Sequence, residues 1–497
     1  MLFTSWPGTW WRISKIAGIV KAHPRLATGV FPHENQPIYF ARHRSRLKHC
    51  RPLVRVHSAR SPRLRYIPSV RTRLQATTTS LLLTLLVALG IRLAYAWCEI
   101  AAIPRQDLQA VPFLYEPGDI AYSVAVGRGF GSPFRVDTGP TAWTTPVYPL
   151  LVAGVFEVFG TFNFHAFLAT IGLNILFSVL TCVPIFYAGK RAAGIGVGAG
   201  AAWMWAIFPN AAIIPFQWVW DTSLSGLLAA TILWATLAVA ESKRIRDWCE
   251  YGVLWGIALM TNATLLSGLP FLLGWMAHRQ WKGPNQQGLA KVALTTGVIV
   301  LCCLPWTIRN YVVFHSFIPL RSALGLQLWL GNNDQYRDAF PGWLHPIDNT
   351  AERAKYARLG EVAYMREKQR EAIDWIIAHP RRELALFKDR FIATWACTPH
   401  PLRDFGRTPS LLIRSVFVSN VLAALGALAG TVLFYADRRL RAYAVPVTTF
   451  PVLFPFASYL SQALLRYRYP IDPIVLLLAA AAVRAAAAGA PEFMRGK

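Results

Sequence analysis

Long apolar segments recur along this chain at the length that a bilayer requires, which is about 20 residues per helix. Ten such segments are present, at 78–98, 164–188, 194–214, 219–240, 249–262, 264–278, 290–306, 411–435, 442–461 and 471–489. The two central segments, 249–262 and 264–278, are short, but basic loops flank the pair on each side. The pattern predicts an all-α integral membrane protein with about ten transmembrane helices.

The basic residues between these segments predict the orientation of the chain, because Lys and Arg concentrate in cytoplasmic loops. Basic clusters at 190–191, 243–246, 279–282 and 438–441 all fall between alternate pairs of segments. With a basic N-terminal region inside, all four loops and both chain termini are cytoplasmic. Ten spans are therefore consistent with a multi-pass protein of the cell (inner or plasma) membrane.

The segment 147–160 is apolar but has only fourteen residues and contains Glu157. If it spanned the membrane, every later basic loop would face outward, so we interpret it as an interfacial helix on the outer surface. Two long loops then face outward, at 99–163 and 307–410. The stretch 350–378 has helical spacing, which predicts a small helical outer domain within 307–410.

Residues 1–77 hold fifteen Lys and Arg but a single acid, and they supply +14 of the net charge of +26. Pro and Arg interrupt every apolar pattern there. This composition favours a basic cytoplasmic extension without a packed core, lying on anionic membrane lipid. A nucleic-acid-binding tail would need the same charges but has no fold signature here, and a true start further downstream is the other alternative. At the other end, 490–497 form a cytoplasmic tail.

Composition supports the membrane assignment. The chain of 497 residues is 54% hydrophobic and 15% charged, whereas a soluble domain carries about 25% charged residues. A soluble enzyme, a disordered regulator and a disulfide-rich secreted module are therefore excluded. The domains expected are a transmembrane core at 78–306, the outer domain at 307–410 and C-terminal transmembrane helices at 411–489.

Candidate chemistry lies in the first outer loop. Glu116 and Asp119 are three residues apart around Pro117-Gly118, at the start of a short predicted helix. A partly dehydrated carboxylate has a raised proton affinity and can accept a proton from a hydroxyl group. The alternative is that Asp119 caps the helix and Glu116 is solvated.

Several motifs follow one another in a characteristic order. They are Gly-Arg-Gly-Phe at 127–130, Thr-Pro-Val-Tyr-Pro-Leu at 145–150, Phe-Gly at 159–160, Trp-Asp at 220–221, Pro-Trp-Thr-Ile-Arg-Asn at 305–310, Gly-Asn-Asn at 331–333 and Leu-Arg-Tyr-Arg-Tyr-Pro-Ile at 465–471. In this order, over roughly 78–489, they resemble the GT-C superfamily of membrane glycosyltransferases. The resemblance is to glycosyltransferase family 39 and the related dolichyl-phosphate-mannose-type and aminoarabinose-type transferases.

This resemblance implies a GT-C fold and an inverting transfer of a hexose or pentose. The donor would be a polyprenyl-phosphate-linked sugar, and the acceptor a glycan, lipid or protein at the outer face. An acid of the first outer loop acts as the base in the family, so Glu116 and Asp119 are the catalytic candidates, and we favour Glu116. Many family members have adjacent Asp-Glu at this point, which this chain does not.

The leaving lipid phosphate requires cations at the outer leaflet, and guanidinium groups hold phosphate well. Arg466 and Arg468 are candidates, because two residues apart in an extended segment both face the same side. Tyr467 between them is also a substrate-binding candidate, although alternation would place it on the other face or at the membrane interface as an anchor. The alternative for the whole segment is snorkelling of Arg within an aromatic belt.

Two further positions are candidates for substrate binding. Asp221 would face a cavity at the outer end of a span, or cap that helix. Arg309 would assist with phosphate, or mark the membrane boundary. The histidines are scattered, so we expect no metal site. We also expect no cofactor, since the lipid-linked sugar donor is a substrate, and no nucleic-acid partner.

The alternative function is a multispan transporter or flippase of lipid-linked sugars. A transporter is expected to place paired charges at mid-bilayer and to have two matching halves. The predicted spans are nearly free of charge, and the polar residues concentrate at the outer surface. A structural membrane subunit without chemistry is a third possibility.

Overall fold

The structure is a computed structural model that describes residues 70–103, 115–281, 288–336, 341–398 and 410–489. The predicted tail 490–497 lies outside the described residues, as does the predicted N-terminal extension up to residue 69. Within the described ranges the chain is helical, with one isolated β-bridge between Gly131 and Pro140. This confirms the prediction of an all-α protein.

The first half of the chain forms ten α-helices in its described part. They are α1 (Val70–Ala101), α2 (Glu116–Ala125), α3 (Val147–Phe159), α4 (Phe164–Leu180), α5 (Cys182–Ala193), α6 (Ile195–Ile207), α7 (Pro209–Gln217), α8 (Thr222–Val239), α9 (Ile245–Thr261) and α10 (Leu269–Trp281). A 3₁₀ turn, Ala263–Gly268, joins α9 to α10.

The second half contains a long helix, a group of shorter helices and three long C-terminal segments. They are α11 (Gly288–Phe314), α12 (Leu324–Gly331), α13 (Thr350–Leu359), α14 (Glu361–Ala378), α15 (Pro380–Ala396), α16 (Leu411–Ala436), α17 (Arg441–Leu453), α18 (Phe456–Leu460), α19 (Leu465–Arg468) and α20 (Asp472–Ala488). A 3₁₀ turn, Tyr469–Ile471, leads from α19 into α20.

Seven segments in the described part of the chain are long and apolar enough to cross a membrane. They are Ser80–Ala101, Phe164–Ala193, Thr222–Val239, Gly288–Phe314, Leu411–Ala436, Arg441–Leu460 and Leu465–Ala487. The bent pair α6–α7 makes an eighth. The predicted number of ten is not confirmed, because the remaining two candidates are α9, with 17 residues, and α10, with 13.

The bend between α6 and α7 has a local cause. The two helix axes differ by 48°. Phe208 lies between them in an extended conformation, with φ −66° and ψ 126°, and Pro209 follows it as the first residue of α7. A residue before proline avoids the helical region, and proline fits the first helical turn. The apolar pattern predicted one span at 194–214, and the structure breaks it at this residue.

The predicted basic loops meet at one end of the bundle. The carboxylate of Glu241, after α8, lies 2.5 Å from Arg191 at the end of α5 and 3.5 Å from Arg279 in α10. Arg279 also donates to the backbone carbonyl of Ala442 at the start of α17. We call this the basic end of the bundle.

Small residues allow the bundle helices to approach closely, as is usual between membrane helices. A Cβ atom added to Gly430 in α16 would lie 2.0 Å from the carbonyl oxygen of Leu478 in α20. Added to Gly198 in α6, it would lie 2.4 Å from the carbonyl oxygen of Phe186 in α5. Any larger side chain at either position would push these helices apart.

The two long loops predicted to face outward form one body. Phe134 and Trp143 of the first loop pack with Tyr356 and Leu326 of the second in a separate apolar cluster. Below it, the buried carboxylate of Glu361 accepts hydrogen bonds from the first loop and from the second. The donors are the Thr141 hydroxyl, the Ala142 amide, the Ser322 hydroxyl and the Tyr356 hydroxyl.

Candidate active site

A cavity of about 530 Å³ lies at the start of α8, where Asp221 and Thr222 line it, whereas Glu241 of the basic end follows the other end of the same helix. Its wall combines the first loop, the α7–α8 junction, the turn after α9, the second loop and the segment from α17 to the Tyr469–Ile471 turn. The polar and aromatic residues of this wall include Glu99, Tyr115, Glu116, Arg135, Trp143, Thr144, Trp218, Trp220, Asp221, Asn262, Arg321, Gln327, His345, Asp348, Gln462, Arg466 and Tyr467.

Glu116 contributes a buried carboxylate to this cavity. It is the first residue of α2, and Pro117 follows it, where a proline is well tolerated because the first amides of a helix have no partner within it. Only 6% of Glu116 is exposed. Burial raises the pKa of its carboxyl to about 7, although the nearby Arg466 guanidinium opposes the shift. Near neutral pH this group can therefore take up or release a proton.

His345 holds the Glu116 carboxylate from the second loop. Its Nε2 lies 3.2 Å from Oε1 of Glu116. Its Nδ1 accepts a hydrogen bond from the Ile347 amide at 3.2 Å, so the ring proton is on Nε2 and points at the carboxylate. Burial, together with the charge of Arg466, lowers the pKa of His345 to about 3. The imidazole is therefore a neutral hydrogen-bond donor.

Arg466 presents a guanidinium to the same cavity. Its Cζ lies 4.3 Å from the ring centre of Trp218 and 4.2 Å from that of Trp220, so two indoles fix its plane. Its Nε and Nη1 atoms are buried and have no hydrogen-bond partner. Two buried donors of a cation are thus available to an anion in the cavity.

Asp221 lies at the N-cap position of α8, but its side chain makes no capping hydrogen bond. One carboxylate oxygen instead accepts a hydrogen bond from Ser225 at 2.8 Å. Burial raises the pKa of Asp221, and the nearby Arg321 and Arg466 oppose that shift. The prediction that Asp221 faces a cavity is thus met, and the capping alternative is not.

Asp119 does not line the cavity. Its carboxylate accepts a hydrogen bond from the Arg135 amide at 3.1 Å, and only 7% of the residue is exposed. Burial, with the charge of Glu116 as a second cause, raises the pKa of Asp119 to about 7. Of the two predicted acids, the structure therefore brings only Glu116 to the cavity.

The extended conformation predicted for the Arg-Tyr-Arg-Tyr-Pro segment, residues 466–470, is wrong. Leu465–Arg468 is a helical turn followed by a 3₁₀ turn, and residues two apart in a helix point to different sides. Arg466 and Tyr467 line the cavity, whereas Arg468 is buried in the bundle. Its Nε donates to Asp472 at 2.6 Å, and its other nitrogens bond to the Thr394 and Trp395 carbonyls and to Asn420.

Arg309 also lies outside the cavity lining. It donates to the backbone carbonyls of Thr141 and Phe130, both at 2.7 Å. Its guanidinium further contacts the rings of Phe130, Trp306 and Phe314. Arg309 thus fastens the first loop to α11, a role that neither of its predicted alternatives described.

The polar residues of the cavity wall that sequence reasoning missed include Arg321, Gln327, His345 and Gln462. Three of them come from the second loop, where no motif or spacing singled them out. Gln462 lies only four residues before Arg466, and this proximity was the one available signal. Among the described residues, no three His, Cys, Asp or Glu side chains form a group that could hold a metal ion.

Comparison with known proteins gives no match by sequence: no protein-family profile matches, and no curated protein matches at a significant level. Similar solved structures do exist. The oligosaccharyltransferase of Archaeoglobus fulgidus, in complex with zinc and sulfate, has a TM-score of 0.50 and 12% identity, over 84% of this chain and 50% of that one. This chain thus spans about half the length of the archaeal enzyme.

Two further structures are similar at lower scores. The same archaeal enzyme, AglB, with an inhibitory peptide and a dolichol-phosphate, has a TM-score of 0.49 and 13% identity, over 84% of this chain and 51% of that one. ArnT from Cupriavidus metallidurans, bound to undecaprenyl phosphate, has a TM-score of 0.37 and 14% identity, over 85% and 80%. AglB and ArnT are both GT-C superfamily glycosyltransferases. The chain is therefore a multi-pass membrane protein whose fold is similar to that of the archaeal oligosaccharyltransferase.

Proposed function

We propose that this chain is an inverting glycosyltransferase that moves a sugar from a polyprenyl-phosphate donor to a hydroxyl group of a glycan, lipid or protein. The observation that carries the proposal is the presence of Glu116 and Arg466 in one cavity. One is a buried carboxylate with a pKa near 7, and the other is a guanidinium with unused donors. The fold shared with an oligosaccharyltransferase supports the same reaction class.

In the proposed reaction, Glu116 takes the proton of the acceptor hydroxyl. The oxygen then attacks the anomeric carbon from the side opposite the phosphate, and the bond between that carbon and the phosphate oxygen breaks. The leaving polyprenyl phosphate keeps the electron pair, and the anomeric centre inverts. A positioned base is worth about 10²–10⁴ in rate.

The charge that develops on the leaving phosphate needs fixed cations in a site with little water. Arg466 is the first candidate, because its Nε and Nη1 donors are unused. Arg321 lines the same cavity and replaces Arg468 as the second. With this charge balanced by guanidinium groups, the proposed reaction requires no metal or other cofactor.

Apolar residues beside Arg466 are suited to a lipid-linked donor. Leu460 and Leu464 precede it in the chain, and Leu324 and Leu328 face the cavity from α12. Isoprenoid carbons are stabilised by leaving water for such a surface. We propose that the cavity opens to the non-cytoplasmic leaflet, where donor and acceptor meet.

The test is sugar transfer by the purified chain in lipid nanodiscs. The donors are a panel of undecaprenyl-phosphate-linked hexoses and pentoses, and a membrane extract supplies acceptors. Glu116→Gln should lower transfer by about 10²–10⁴. The matched variant Asp119→Asn, at the acid outside the cavity, should retain transfer within about tenfold.

Equal loss in both variants, or in neither, would remove Glu116 from the role of base. Wild-type chain that transfers no sugar, yet moves a labelled lipid-linked sugar across liposome membranes, would favour the transporter alternative. Wild-type chain that does neither would favour the structural subunit.

A further inference from the structure

Unused polar atoms concentrate in the wall of the cavity. In the described ranges, nine buried side-chain nitrogen or oxygen atoms have no hydrogen-bond partner. Four of the nine belong to cavity-lining residues: Arg466 Nε and Nη1, Gln462 Oε1 and Thr144 Oγ1. Since a buried polar group without a partner is costly, such a concentration indicates a polar ligand.

Gln462 is the strongest of these observations beyond Arg466. Only 1% of the residue is exposed. Its Nε2 donates to Oε1 of Gln327 at 2.5 Å and to the Tyr467 hydroxyl at 3.3 Å. These two bonds fix the amide, so that one of its ends is fully used and the other has no partner.

The Gln462 amide and the Arg466 guanidinium line one cavity and share Tyr467 as a neighbour. Tyr467 contacts both, because its hydroxyl accepts from Gln462 and its ring centre lies 5.1 Å from Cζ of Arg466. Gln327 reaches the same place from α12, on the second loop. Through Tyr467, an uncharged hydrogen-bonding pair is therefore connected to a guanidinium in the same cavity.

The two kinds of group select different parts of a ligand. The guanidinium suits a phosphate, whereas a neutral amide suits a hydroxyl, which can both donate and accept. An isoprenoid chain placed against Gln462 would leave its amide unpaired. We propose that the Gln327–Gln462 pair is the subsite that binds hydroxyl groups of the donor sugar, next to the phosphate at Arg466. This inference rests on the proposed function and adds which residues recognise the sugar.

Thr144 extends the same subsite from the first loop. Its hydroxyl is buried without a partner and lines the cavity two residues from the first-loop contacts of Glu361. A sugar has several hydroxyls around its ring, so contacts from Gln462 and from Thr144 are compatible with one bound sugar. Gln462 remains the residue to test, because both of its hydrogen bonds and its unpaired oxygen are identified.

The experiment measures binding of two lipids to the full chain in nanodiscs, by quenching of tryptophan fluorescence. One lipid is undecaprenyl phosphate, and the other is the member of the glycosylated panel that wild-type protein binds most tightly. Gln462→Leu should leave the Kd for undecaprenyl phosphate within about twofold of the wild-type value, and should weaken binding of the glycosylated lipid by about tenfold. Arg466→Gln should weaken both lipids.

Two variants keep the result interpretable. Gln327→Leu removes the other half of the pair and should cause the same selective loss of affinity for the glycosylated lipid. It therefore tests the subsite even if Gln462→Leu fails to fold. Gln369→Leu changes an exposed glutamine of α14 that does not line the cavity, and both affinities should match those of wild type.

If Gln462→Leu and Gln327→Leu leave the ratio of the two Kd values unchanged, the subsite is wrong while the proposed function stands. A wild-type chain that binds neither lipid overturns the proposed function, and the subsite falls with it.

Discussion

The Glu116 carboxylate lies where burial opposes its ionisation and hydrogen bonding supports it. Burial raises its pKa to about 7, while Arg466 and Arg135 attract the charged form and Asp348 repels it. His345 offers a donor to one carboxylate oxygen, at 3.2 Å. The second oxygen, Oε2, is then the atom that would accept a proton from the acceptor. A base with a pKa near the working pH combines adequate ionisation with adequate proton affinity.

This pKa predicts the pH dependence of transfer. A base acts in its deprotonated form, so below pH 7 the rate should fall by about tenfold per pH unit, and above pH 8 it should level off. The measurement is the transfer rate from pH 5 to 9. Asp119 also has a pKa of about 7, so Asp119→Asn is the control. It should keep an acidic limb whose midpoint moves to lower pH, because the charge of Asp119 no longer opposes ionisation of Glu116. If the acidic limb disappears in Asp119→Asn, the group that titrates is Asp119 and not Glu116.

His345 predicts a shift of that limb. The groups that face Glu116 are His345, Arg466, Arg135, Asp348, Tyr115 and Asp119. Among them His345 is neutral and donates to the carboxylate, which stabilises its charged form. His345→Leu should therefore raise the midpoint by about one pH unit, and His345→Gln, which can still donate, should restore it. A lower rate with an unchanged midpoint in His345→Leu would mean that the ring only packs.

Among individual residues, the sequence predicted those cavity residues that lie in or next to a recognisable sequence motif. Glu116, Asp221, Arg466 and Tyr467 were all found from local sequence. Arg468 was misplaced because alternation of Arg and Tyr mimics a strand, although four residues are too few for a reliable period. His345 and Arg321 were missed, since their place beside Glu116 and Asp221 depends on how the second loop folds over the first.

Among the elements, α12 determines where the Gln462–Arg466 segment lies. Its last residue, Gly331, packs directly on the backbone of Ser461, and a Cβ added there would lie 1.7 Å from the Ser461 carbonyl oxygen. Asn332 donates to the Leu460 carbonyl, and Arg390 of α15 donates to the Gly331 carbonyl. These contacts hold the second loop against the segment that carries Arg466.

Gly331→Ala should therefore separate α12 from this segment. We expect a loss of stability of about 1–3 kcal/mol and a weakened affinity for undecaprenyl phosphate. Gly297→Ala in α11 is the matched control, because a Cβ there meets nothing within 4 Å. Thermal unfolding in nanodiscs measures the difference, and equal melting of the two variants would contradict the packing argument.

The apolar pattern predicted where the long helices lie, but it did not predict where they end. Hydropathy located α1, α8, α11 and α16 well, because length and composition suffice for them. Two helices extend beyond the predicted apolar segments: α1 begins at Val70, before residue 78, and α11 runs to Phe314, beyond residue 306. Polar residues at the ends of a span still continue its helix, so hydropathy stops short of the true end.

Considering the whole molecule, the basic end and the cavity lie at opposite ends of the bundle. Arg191 and Arg279 meet around Glu241 at the basic end, and Glu116 and Arg466 meet at the other. The loops that hold Arg191 and Arg279 meet at one end, as their position between alternate spans predicts. The cytoplasmic location of the basic end stays a prediction.

Accessibility of engineered cysteines tests the orientation. Lys243 at the basic end and Arg358 in α13 are both exposed, and each would be replaced by Cys in a chain whose seven native Cys are Ser. A membrane-impermeant maleimide added to intact cells should label the Arg358→Cys chain and not the Lys243→Cys chain. Labelling at 243 alone would invert the topology and place the cavity in the cytoplasm.

The account rests on one cavity that holds donor and base together. A cryo-EM map of the chain in a nanodisc with the panel lipid that wild-type protein binds most tightly tests it most directly. We predict density for phosphate within hydrogen-bond distance of Nε and Nη1 of Arg466, and for a sugar whose anomeric carbon faces the Glu116 carboxylate. Phosphate bound at the basic end, or outside the cavity with Arg466 still unpaired, would contradict the account.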